Sequence, residues 1–218
     1  MWWTLGLNLS LVVFLFALWH ILSLRYCRRR AQAILANVES AFSGHGHICE
    51  VEWRSTSEFL VRMRFAGCAF ANSTILVSML PRAFPISWLI ARLKHRRETL
   101  TFEANLLCPP GFNLDIMSHR SQLNLKSRTP KNNFTVRLKR FPPCILTSRR
   151  DWQRETANVV QSLAASRGCE FISVSFHRKE PHFSATVPLS AMSGPHCSPV
   201  RLFDDLRELA SGASTTRP

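Results

Sequence analysis

The chain has 218 residues, with 28 Lys and Arg against 14 Asp and Glu, for a formal charge of +14. That length buries a core as one domain or two small ones, and the charge favours anionic lipid, nucleic acid or an acidic protein as partner. Seven irregularly spaced cysteines without a C-x-x-C argue against a disulfide framework and fit a reducing compartment.

Residues 2–24 read WWTLGLNLSLVVFLFALWHILSL, without Lys, Arg, Asp or Glu. As a helix they span roughly 35 Å at about 1.5 Å per residue, enough to cross a hydrocarbon core of about 30 Å. The run ends at Leu24, and Arg25, Arg28, Arg29 and Arg30 follow. A cleaved signal peptide needs positive charge before a short apolar run and small residues at the cleavage site. Here only the amino terminus precedes the run, and arginines follow it. A retained transmembrane helix is therefore expected, with Trp2, Trp3, Trp19 and Tyr26 at the headgroup levels. Lys and Arg stay on the cytoplasmic side. The arginines thus predict a single-pass protein with its N-terminus outside and residues 25–218 in the cytoplasm. Gly6-x-x-x-Ser10 has small-residue helix-contact spacing, a weak signal when it occurs once. Cys27, at the membrane edge, is a candidate for S-acylation in a eukaryote.

Residues 31–42 continue the helix, with Ile34, Leu35, Val38 and Phe42 on one face, until Gly44 and Gly46 stop it. Strands are expected over 48–54, where alternation is imperfect, over 59–65, where it is clean, and over 74–80, ending at Pro81. Residues 75–91 are apolar enough to raise a second span, but Arg82 is central and Pro81 and Pro85 break it. A helix from Pro85 fits better. Its stripe is Ile86, Leu89, Ile90 and Leu93, with Arg92, Lys94, Arg96 and Arg97 crowding its end. Most amphipathic helices of this length turn such a stripe to the core, which is the expectation here. The alternative is a helix lying in a membrane interface.

Further strands are expected over 98–108 and 112–117. Residues 119–133 are polar and basic, the best linker in the chain. A strand over 134–141 ends at Pro142-Pro143. A helix over 151–166 leads to a hairpin, 171–176 with 183–187, and a last helix starts at Pro199. Residues 211–218 read as a frayed tail. The fold class is α+β: a single N-terminal transmembrane helix, then antiparallel strand hairpins packed with amphipathic helices. The divisions are 1–30 (anchor), 31–118 (first α+β unit), 119–133 (linker), 134–210 (second unit) and 211–218 (tail). Ala36-Asn37-Val38 before Cys49-Glu50 echoes Ala157-Asn158-Val159 before Cys169-Glu170. A duplicated α-β-β unit would explain the echo and put its helices on one sheet face. Identities this few also arise by chance.

No Gly-rich phosphate loop, Gly-x-Ser-x-Gly or His-Glu-x-x-His occurs. His45, His47 and Cys49 are the nearest approach to a zinc site, but a second ligand pair is missing. His196-Cys197 pairs a base with a nucleophile on paper, yet sequence neighbours seldom face each other. Asp115 and Glu103 have no evident partner for acid–base work. No catalytic residue, cofactor or metal is therefore expected. The basic positions are the candidate site: Arg25, Arg28, Arg29 and Arg30 beside the anchor, then Lys126, Arg128, Lys131, Arg137, Lys139 and Arg140. Such residues contact anionic headgroups, the phosphates of nucleic acid, or simply water. Nucleic acid is the weaker reading, since the patch lacks interleaved stacking aromatics and matches no binding motif. The expected function is a membrane-anchored binding or assembly module, its basic face toward anionic lipid or an acidic protein. A membrane-tethered nucleic-acid-binding protein and an enzyme with an unrecognised site are the alternatives.

Overall fold

One helix, α1 (Trp2–Phe42), carries the apolar run into the folded domain without a break. The structure is a computed structural model that describes residues 2–42, 46–65, 70–118, 134–137, 143–147, 159, 161, 171–190, 192 and 198–214. Along α1 the environment changes once. Leu7, Leu9, Leu11, Val12, Val13, Phe14 and Leu15 are all exposed, on every side of the helix. From Cys27 onward a stripe appears: Cys27, Ala31, Ile34, Val38 and Ala41 are buried, at the spacing of one helical face. Its first half is long and apolar enough to cross a membrane; its second half is part of the core.

Among the described residues nine strands follow: β1 (Gly46–Ser55), β2 (Glu58–Phe65), β3 (Phe70–Ser78), β4 (Thr99–Leu106), β5 (Leu114–Ser118), β6 (Phe134–Arg137), β7 (Pro143–Thr147), β8 (Ser173–Phe176) and β9 (Phe183–Pro188). They make one antiparallel sheet in the order β1-β2-β3-β4-β9-β8-β5-β7-β6. β5 lies between β8 and β7, so strands from both sides of residues 119–133 share the sheet. The fold is α+β.

Alternation decides the faces. Val61, Ile75, Phe102, Ala185 and Val174 face one side in register across five strands. They are buried with the second half of α1 and with α3 (Pro199–Ser214). Phe203 of α3 meets Phe42 of α1 edge-on at 4.7 Å and stacks on Phe65 of β2 at 5.3 Å. The opposite face is polar and half-exposed; Thr74, Glu103, Ser184 and Ser175 make one row across it.

The imperfect alternation of β1 has a cause: the register shifts between Ile48 and Glu50 and again between Trp53 and Ser55. Cys49 and Arg54 are the extra residues of two bulges, which break the period of two. β7 was hidden by its first residue, Pro143. Proline is tolerated at the start of a strand, so Pro143 opens a new strand after the one that begins at Phe134. The C-terminal helix runs to Ser214 with Ala213 buried, so residues 211–214 belong to the fold and not to a frayed tail. The linker 119–133 and most of the helix expected over 151–166 lie outside the described residues; Val159 is described there and is buried in the core.

Candidate functional site

The surface that stands out forms where α1 leaves its exposed stretch. α2 (Pro85–Leu93) packs there. Pro85 occupies its first turn, where a missing N–H costs nothing. It ends in a Schellman turn: His95 adopts a left-handed backbone (φ 49°), its N–H donates to the Arg92 carbonyl, and the Arg96 N–H donates to the Ala91 carbonyl.

α2 rests on one level of α1. Phe84 meets Phe16 at 5.8 Å and Trp88 meets Trp19 at 6.0 Å between ring centroids. Trp19 Nε1 donates to the Arg82 carbonyl at 3.1 Å, and His20 Nδ1 lies 3.5 Å from the Ala83 carbonyl. The Arg82 guanidinium sits over the Tyr26 ring at 4.0 Å, a favourable cation–π geometry.

The expected orientation of α2 is overturned. Its stripe does not face the core: Ile86 is 72%, Leu89 51%, Ile90 46% and Leu93 70% exposed, and Phe84 beside them 56%. Within α2 the buried residue is Ala91. The rings of Phe16 and Trp19 already occupy the side toward α1, so the large aliphatic face is left outward.

Cations frame this apolar surface. Arg25, Arg28 and Arg29 are exposed on α1, and Arg92, Lys94, Arg96 and Arg97 are exposed at the end of α2. Arg92 lies over the Trp88 ring at 5.4 Å. Among the described residues, none of Arg25, Arg28, Arg29, Lys94, Arg96 and Arg97 has an acidic partner. Arg30 differs. It donates through Nη2 at 2.7 Å and Nε at 3.0 Å to Glu98 Oε2, and Arg82 Nη2 lies 3.9 Å from Oε1 of the same carboxylate. Glu98 thus ties α1 to the segment before α2, with its side chain 11% exposed. The pair raises the pKa of the Arg30 guanidinium against the opposing effect of burial. Nothing in the sequence distinguished Glu98 from any other acidic residue before a strand.

Arg137 lies in β6, at the sheet edge. Lys126, Arg128, Lys131, Lys139 and Arg140 lie outside the described residues. Cys27 is 4% exposed and packed in the core, and burial pushes its thiol up. That removes it as an acylation candidate, since the reaction needs an accessible sulfur.

The described histidines scatter. His20 is on α1, His47 is exposed on β1 and His95 caps α2. Asp115 does have a partner: its Oδ1 lies 3.3 Å from His177 Nε2, and that hydrogen bond raises the imidazole pKa while burial opposes it. His177 and His182 meet only through a backbone hydrogen bond at the hairpin. Among the described residues no group of three or more His, Cys, Asp or Glu converges to hold a metal. A void of about 10 Å³ between α1, the sheet and α3 is apolar and too small for a ligand. Compared with known proteins, the chain matches no family model and no curated protein.

Proposed function

We propose that the chain is a membrane-anchored binding or assembly module, its basic face toward anionic headgroups and residues 25–218 in the cytoplasm. The observation that carries this reading is the single change of environment along α1. The same unbroken helix exposes apolar side chains on all sides up to Leu18, is half-covered at Trp19 and His20 where α2 packs, and is a core element from Cys27. An exposed apolar helix surface of this size is stable in lipid and not in water. A helix shared by anchor and core also leaves no flexible linker between them, so the sheet is held at a fixed height above the bilayer. Arg25, Arg28 and Arg29 fall at that boundary, where each cation near an anionic surface is worth about 1 kcal/mol.

The test is flotation of a fragment starting at Arg25, which keeps Cys27 and the Arg30–Glu98 pair. It is expected to float with vesicles containing phosphatidylserine, less at high salt, and little with phosphatidylcholine alone. Charge reversal of Arg25, Arg28 and Arg29, or of Lys126, Arg128 and Lys131, should weaken flotation. Binding indifferent to both lipid charge and these reversals would refute the lipid-facing reading. Asn72 is an exposed sequon residue; its glycosylation in microsomes would refute the orientation.

A further inference from the structure

The outward face of α2 is unexplained by an anchor made of α1 alone. In a helix surrounded by water, the stripe Ile86, Leu89, Ile90 and Leu93 would turn inward. Here it turns away, and small Ala91 takes the inward position. Two observations identify what covers it. The first is continuity: Phe84 and Trp88 lie against Phe16 and Trp19, so the exposed face of α2 extends the exposed apolar surface of α1. About 13 Å of helix axis separates Phe16 from Arg25, so the start of α2 lies on the apolar side of the first arginine. The second is charge. Arg92 within the stripe and Lys94, Arg96 and Arg97 after it are exposed, and the next residue, Glu98, binds Arg30 of α1. The cations of α2 therefore sit level with those that follow the span. Trp19, Trp88 and Tyr26 between them are amphipathic rings suited to the headgroup level.

We propose that α2 is a second membrane element, lying in the bilayer interface beside α1, with its aliphatic face among acyl chains and its C-terminal cations at anionic phosphates. This rests on the reading of α1 as the anchor. It also adds to that reading. A lone spanning helix leaves the domain free to rotate about the helix axis. A second contact at the side of that helix fixes which face of the domain looks along the membrane.

The experiment uses the full chain reconstituted in phosphatidylcholine vesicles with and without phosphatidylserine. A benzophenone amino acid replaces Phe14, Leu89 or Val200, each an exposed position, and adducts are read after irradiation. Lipid adducts are expected at 14 and 89 in similar yield, with loss of adduct at 200 on α3. Phosphatidylserine should raise the yield at 89, and replacing Arg92, Lys94, Arg96 and Arg97 with Gln should remove that gain. Lipid adducts at 14 but none at 89 overturn the proposal and leave the anchor standing. No lipid adduct at either overturns both. A protein dimer adduct at 89 in place of lipid assigns the face to a second copy and overturns the proposal. Equal yields at 89 and 200 do so as well.

Discussion

Replacing Glu98 with Gln keeps the side chain's size and removes the charge that holds Arg30 and Arg82. Its cost follows from where the pair sits. Arg30 donates twice to one carboxylate oxygen, at 2.7 and 3.0 Å, with Arg30 41% and Glu98 11% exposed. Exposed ion pairs contribute about 0–1 kcal/mol, and breaking a buried one costs about 3–5 kcal/mol. A half-covered, twofold-bonded pair falls between, at about 1–2 kcal/mol. Arg82 gains nothing from the change, since it then stands over Tyr26 without its carboxylate. The assay is urea unfolding of the full chain in detergent micelles, with Glu98→Gln, Arg30→Gln and the double variant forming a cycle. A coupling energy of about 1 kcal/mol is expected, with unchanged slope on denaturant. Additivity within about 0.3 kcal/mol would refute the claim that this pair fastens α1 to the segment between α2 and β4.

Three other perturbations read separate parts of the fold. A Cβ on Gly46 would lie 2.6 Å from the Arg64 carbonyl oxygen and 2.7 Å from the Phe65 ring, so Gly46→Ala should cost about 1–3 kcal/mol in the same unfolding assay. Stability unchanged by that substitution would mean β1 does not approach β2 this closely. His95→Gly relieves a left-handed residue in the Schellman turn and should stabilise by about 1 kcal/mol; destabilisation would contradict the assigned turn. Asp115 raises the His177 pKa above its usual 6.5. The protonated imidazole is thus favoured by folding. Its contribution is complete below pH 6.5 and is lost as pH rises through the higher folded value. Unfolding measured across that window should show stability falling with pH in the native chain and a flatter profile in Asp115→Asn. Equal slopes in both would break the assignment.

What the sequence revealed depended on how local its cause was. α1 was legible because an uncharged run followed by arginines needs no tertiary context to be read. β2 and the hairpin β8–β9 followed from alternation and turn residues. β1 read poorly because the bulges at Cys49 and Arg54 shift its period, and β7 was lost because a proline at a strand start looks like a terminator. The stripe of α2 was found correctly, but periodicity gives a face and not what the face meets. Only the placement of Phe84 and Trp88 on α1 decides that it points outward. The Glu98–Arg30 and His177–Asp115 pairs join residues far apart in sequence, and no spacing rule predicts such meetings. Cys27 is a candidate for S-acylation by its place at the membrane edge, and the helical stripe it belongs to buries it.

The claim beneath all of this is that the stretch of α1 before Arg25 is held in lipid while the rest of the helix is held in the domain core. Alkaline carbonate extraction of membranes carrying the full chain, beside a chain that starts at Arg25, tests it most directly. The full chain is expected in the pellet and the shortened chain in the supernatant, folded by near-ultraviolet circular dichroism. Release of the full chain into the supernatant would contradict the account, as would a shortened chain that stays in the pellet after carbonate.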